Sequence, residues 1–179
     1  MRDATPVPPP RSSTARASRA PKKGRHIDPI GYDAAKKVKG KKRHLIVDTL
    51  GLMLGLNVTP ADVQDRDGFL PLLKSVRRVF VFLERLFADG AYSGAATAAA
   101  AAAKRTGKVV LEIVKRSDAA KGFVVVAKRW IVERTFGWLG RCRRLVKDFE
   151  NLTRTQLAFV QLAMIRLMTR RIARLCQSS

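Results

Sequence analysis

Hydrophobic and polar positions change rhythm several times along this chain of 179 residues. RHLIVDT (43–49) and LMLGLNVT (52–59) are apolar, β-branched runs separated by Leu50 and Gly51, which predicts a β-hairpin. DRDGFLPLLKSVRRVF (65–80) carries apolar residues at helical spacing behind an acidic start at Asp65 and Asp67, so it predicts a helix. VFLERLFADGAY (81–92) predicts a short strand that runs into a tight turn at Asp89–Gly90. SGAATAAAAAAKRTG (93–107) predicts an alanine-rich helix stopped by Gly107, and KVVLEIVKR (108–116) a further strand. Two more helices are expected, one over RWIVERTFGWLGRCRRL (129–145) and one from about Thr155 to Leu175. Strands alternating with helices after an opening hairpin imply an α/β fold, a mixed sheet covered by helices. No internal repeat is visible.

Residues 1–30 break this pattern. They are rich in Pro, Ser, Ala and Arg with no apolar periodicity, and they read as a disordered basic arm. A single folded domain is then expected over 31–179.

Charge changes the picture more than composition does. Hydrophobic residues make up 46% of the chain, enough for a core, yet 36 Lys+Arg face 14 Asp+Glu for a net charge of +22. Such an excess strains a compact fold by self-repulsion unless a polyanion offsets it. Nucleic acid is the expected partner, because releasing counterions from phosphate rewards this composition. A membrane is not expected: QLAFVQLAMIRLMTRRIARL is interrupted by arginine, and no signal peptide is apparent. Cys142 and Cys176 match no metal or redox spacing and read as reduced thiols of a cytoplasmic protein.

Chemistry in so basic a chain centres on Glu133, the one carboxylate between 129 and 145. At about 100° per residue, Ile131, Thr135, Trp138, Leu139, Cys142, Leu145, Val146 and Phe149 share the far side of this helix as its core stripe. Arg129, Gly137, Gly140, Arg144 and Lys147 cluster around Glu133 on the exposed side. The glycines cost helix stability, about 1 kcal/mol each relative to alanine, which suggests a close approach to the backbone. Two readings stay open. Glu133 is a weak surface ion-pair partner of Arg129 or Arg134, or it is a metal ligand that works with a second carboxylate. Asp89 is the candidate second carboxylate, because ligands gather at strand C-termini in α/β sheets and carboxylate oxygens suit Mg²⁺. An Asp–Gly pair is also a common plain turn.

In combination, GYDAAKKVKGKKRHLIVDTLGLMLGLNVTPADVQDRDG, FADGAY, KGFVVVAKRWIVERTFGWLGRCRRLVKDFE and QLAFVQLAMIRLMTRRIA resemble the C-terminal catalytic part of bacterial insertion-sequence DDE transposases, of the family-five type. The resemblance covers the chain from about Gly31 to its end. It implies an RNase H-like fold and an Asp-Asp-Glu set that uses Mg²⁺ (or Mn²⁺) to cut and join double-stranded insertion-sequence ends. It also implies a bacterial, nucleoid-associated protein that assembles with itself or with full-length transposase. Asp89 falls on the family's second aspartate and Glu133 on its glutamate, as catalytic residues and metal ligands. Arg129, Arg134, Arg141, Arg144 and Lys147 are then expected DNA contacts, and Lys41, Lys42 and Arg43, read as part of a basic loop, are placed beside the DNA channel.

The chain departs from the family in one respect. The first aspartate belongs to an Asp-Ser-x-Ser-Val-like strand upstream of the GYDAAKK segment, where this chain has RSSTARASRAPKKGRHID. Asp28 and Asp48 are poor substitutes, one before a proline and the other a strand too late. The expectation is therefore an RNase H-like sheet without its first central strand, in an N-terminally truncated transposase that is inactive or survives as a non-catalytic DNA-binding remnant. A basic RNA-binding protein is a third reading, disfavoured because no aromatic-rich strand offers base stacking.

Overall fold

The computed structural model describes residues 26–34, 37–89, 92, 109–114 and 129–177. The expected alanine-rich helix, Gly90 of the expected turn and most of the N-terminal arm lie outside the described residues.

Three antiparallel strands come first: β1 (Gly31–Asp33), β2 (Val38–Val47) and β3 (Met53–Pro60), in the order β1-β2-β3. The hairpin expected at Leu50–Gly51 is the β2–β3 pair, with Leu45 opposite Leu56 and a bulge between Ile46 and Val47. Gly51 takes φ +80° there, a left-handed turn conformation that glycine adopts without strain. The segment read as a basic loop is instead extended: Tyr32 pairs with Lys39 and Gly31 with Gly40, so Lys41, Lys42 and Arg43 stand in a strand.

The α1 helix (Asp65–Val79) follows, then a second sheet of two parallel strands, β4 (Arg85–Asp89) and β5 (Val110–Val114). Among the described residues no ladder joins the two sheets. The α2 helix (Arg129–Gly140), a 3-10 turn (Arg143–Leu145) and α3 (Thr153–Gln177) complete the chain.

β2 explains how the layers hold together. Successive side chains of a strand point to opposite faces, and here both faces are covered. Ile46 enters one core with Phe69, Leu72, Leu73 and Val76 of α1 and Leu86 of β4. Leu45 and Val47 enter a second core with Val132 and Phe136 of α2 and Val160 and Met164 of α3. Ile46 is fully buried, so Ile46→Ala would cost about 2–5 kcal/mol through lost transfer energy and the cavity left behind.

The same alternation distributes the basic run of β2. Lys41 donates to the carbonyls of Glu150 and Asn151 at 3.0 and 3.1 Å, and Arg43 Nη1 donates to the Leu145 carbonyl at 3.0 Å, both toward the α2–α3 connection. Lys42 turns the other way. Its ammonium sits 2.9 Å from Asp65 Oδ1 and 3.6 Å from Asp33 Oδ2, and donates to the Val63 carbonyl at 2.8 Å. Burial pushes the Arg43 guanidinium below its usual pKa, opposed by the nearby Asp148 carboxylate. Burial likewise raises the Asp148 carboxyl, against the pull of Lys41.

Candidate functional site

Asp89 closes β4, in register with Val114 of the parallel strand β5. The three residues before it, Leu86, Phe87 and Ala88, are buried, so the strand is fixed by its own core contacts up to Asp89. The Asp89 side chain itself is outside the described residues.

Glu133 lies on α2, whose buried side is formed by Ile131, Val132, Thr135, Phe136 and Leu139. Helical periodicity puts the core stripe slightly around the helix, with Val146 and Phe149 in it. Both of those are 46% exposed, because α2 ends at Gly140 and the chain leaves the helical line. Glu133, Gly137 and Gly140 are exposed as expected, and a Cβ on either glycine would meet nothing within 4 Å. Asp89 and Glu133 thus stand on separate elements at the margins of two different cores. Among the described residues no group of three His, Cys, Asp or Glu side chains forms a metal cluster.

Neither possible replacement for a first aspartate is disengaged. Asp48 Oδ1 accepts from the backbone N–H groups of Leu50 and Leu52 at 2.9 and 2.8 Å, which closes the hairpin turn. Asp28 accepts from the N–H of Thr153, the first residue of α3. That backbone bond holds the Asp28 carboxyl below the usual carboxylate range, with Lys41 and Arg154 adding to the effect.

The basic residues divide into two groups. Lys41, Lys42 and Arg43 are committed to the interior contacts described above. Arg141, Arg144 and Lys147 are exposed, although Arg144 also pairs with Glu150 at 2.7 Å and lies over the Phe159 ring. The Arg129 side chain is outside the described residues.

Arg134 is a special case. Its guanidinium lies 4.3 Å from the Trp130 ring centre and 4.8 Å from that of Trp138, and the Arg171 guanidinium of α3 lies 4.5 Å from the Trp138 ring centre. Trp130, Arg134, Trp138 and Arg171 therefore alternate in one cation–π stack. Both arginines donate to one carbonyl, that of Leu50, at 3.1 Å. Partial burial and the adjacent Arg171 charge lower the Arg134 pKa, and Asp48 counteracts them.

Arg166, Arg170, Arg171 and Arg174 escaped the sequence reading, which treated α3 as a covering helix. The signal was available: five arginines lie between 153 and 177, and no Asp or Glu occurs after Glu150.

A family model described as the transposase DDE domain matches residues 3–168. The match begins well before Gly31, where the motif resemblance starts. A curated protein of Burkholderia cepacia, "Putative transposase for insertion sequence element IS402", is 29% identical over 130 residues, covering 69% of this chain and 60% of that protein. The chain thus spans 60% of the length of the relative. No solved structure matches it. No described helix is long and apolar enough to cross a membrane. The family match takes in both sheets, α1, α2 and most of α3, and the chain belongs to the transposase DDE domain family.

Proposed function

We propose that this chain is the catalytic domain of a DDE transposase that cuts and joins the DNA ends of an insertion sequence within an RNase H-like framework. The observation that carries the reading is the placement of Glu133. It is exposed on a helix whose opposite face is locked into the core, beside two glycines that leave the backbone open to a ligand. Asp89 at the end of β4 is its partner in this reading. Carboxylate oxygens are suitable ligands for Mg²⁺ or Mn²⁺, so Asp89 and Glu133 would hold the ion. Such an ion, when bound, activates a water or 3′-hydroxyl nucleophile and stabilises charge on the phosphoryl oxygens. Arg141, Arg144 and Lys147 would position phosphates of the DNA end, while Lys41, Lys42 and Arg43 brace the fold. Self-assembly and a bacterial cytoplasmic, nucleoid-associated location belong to the same reading.

The engagement of Asp28 and Asp48 by backbone N–H groups favours a second reading. In it, the chain binds DNA ends without cleaving them, as a non-catalytic remnant. One experiment separates the two. The chain is incubated with a duplex carrying the insertion-sequence end and with Mg²⁺ or Mn²⁺, and nicking and binding are measured together. The catalytic reading expects metal-dependent nicking that falls to background in Asp89→Asn and in Glu133→Gln, with binding retained. End binding without nicking by the unaltered chain selects the remnant. Nicking that survives both substitutions overturns the assignment of these carboxylates.

A further inference from the structure

The C-terminal end of α2 and the second half of α3 enclose a cleft of about 280 Å³. Arg141, Arg166, Arg170, Arg171 and Arg174 line it together with Trp138, over a floor of apolar residues, and among the described residues no carboxylate takes part in its lining. Folding does not require this arrangement. Arg141, Arg166, Arg170 and Arg174 are exposed, where any polar residue would serve, and guanidinium groups gathered around a small volume repel one another. The geometry is also organised. Arg166, Arg170 and Arg174 follow one another at intervals of four, so they form a row on one side of α3 with steps of about 6 Å. Arg171 is fixed by the Trp138 ring and, through Nη1, by the Leu50 carbonyl. A guanidinium has five N–H donors in a planar fork suited to phosphate oxygens, so one bond to a carbonyl leaves donors for a ligand.

We propose that this cleft grips successive backbone phosphates of one strand of duplex DNA. The site is separate from Glu133. Trp138, where α2 enters the cleft, is about 7 Å further along the helix axis, or about two base pairs at the rise of duplex DNA. The cleft therefore holds the flank of the DNA while Glu133 faces the position to be cut. The choice of DNA as the polyanion rests on the transposase reading, whereas the affinity for phosphate rests on the arginines alone.

The test is binding of a fluorescently labelled random-sequence DNA duplex to the full chain across a salt series, without divalent metal. The triple variant Arg166→Gln, Arg170→Gln, Arg174→Gln is compared with a control, Arg66→Gln, Arg78→Gln, Arg85→Gln. The control removes the same charge from exposed positions elsewhere, and circular dichroism verifies the folding of both. Each lost phosphate contact lowers the slope of log affinity against log salt by about 0.9, so the cleft variant is expected to lose about 2–3 and the control less than about 1. Equal losses in the two triples overturn the proposal.

A second variant tests location. With two tryptophans in the chain, Trp130→Phe leaves Trp138 as the sole indole, and its emission is expected to change when duplex binds. Binding with unchanged emission overturns the proposal, as does stronger competition by duplex RNA than by duplex DNA. None of these measurements depends on cleavage. A chain that never nicks DNA but loses slope in the cleft triple keeps the phosphate site while the catalytic reading fails.

Discussion

The carboxylate of Asp28 caps α3 from across the fold: its Oδ2 accepts from the N–H of Thr153 at 2.6 Å, over a sequence separation of 125 residues. A carboxylate at a helix N-terminus satisfies a backbone donor that would otherwise lack a partner, and it meets the positive end of the helix dipole. The aspartate that stands nearest the position of the family's first ligand therefore has a structural occupation.

This cap predicts a pH signature. The folded-state pKa of Asp28 is depressed, so its stabilisation is present above the unfolded value of about 3.9 and is lost as pH falls through the folded value. Asp28→Ala should lower the melting temperature at neutral pH, and its difference from the unaltered chain should shrink once pH drops below about 4. Thermal melts over an acid series measure this. A difference that stays constant into acid would mean that the charge does not contribute.

Lys41 tests whether the KKR run is architecture or DNA contact. Lys41→Met removes the donor for two carbonyls at the α2–α3 connection, and is expected to destabilise by about 1–3 kcal/mol in denaturant titration. The salt slope of duplex binding should stay the same. A reduced slope with unchanged stability would move Lys41 to the DNA surface.

Two glycine substitutions should act with opposite signs. Gly68→Ala in α1 would drive its Cβ into the His44 imidazole, which is held to Thr59 Oγ1 at 2.9 Å. Overpacking of that kind costs about 1–3 kcal/mol, read as a lower denaturation midpoint.

Gly137→Ala meets open space and should instead stabilise α2 by up to about 1 kcal/mol through helix propensity. If DNA approaches the backbone beside Glu133, the same methyl weakens duplex binding. Higher stability with undiminished binding would place the DNA elsewhere.

The hairpin, α1, β4, β5 and α3 were all legible in the sequence because each is a short segment whose own rhythm matches its final environment. α2 was legible only in part. Its apolar positions continue through Leu145, Val146 and Phe149, which suggests a longer helix. Instead, the N–H groups of Arg141 and Cys142 bond three residues back, to Trp138 and Leu139, and tighten the end of α2 after Gly140. Periodicity sees apolar spacing but does not see where the backbone changes pitch. The basic run at 41–43 misled for a related reason: three adjacent cations look solvated until their distant partners, Asp65, Leu145 and Glu150, are brought in by the tertiary fold. Glu133 was legible as exposed, and its proposed pairing with Asp89 rests on the strand-end position of Asp89 together with family likeness. The arginine cleft was not legible, since it forms only when the end of α2 meets α3.

The Leu50–Gly51 turn has a consequence for local opening. Tips of hairpins ordinarily fray first, on fast timescales and at little free-energy cost. Here the Leu50 carbonyl receives Arg134 and Arg171, and the Gly51 carbonyl receives Thr135 Oγ1 at 2.8 Å. The amides of Leu50 and Leu52 are closed by Asp48. These bonds tie the tip to both α2 and α3, so its amide protons should exchange with solvent more slowly than those of an unanchored hairpin tip.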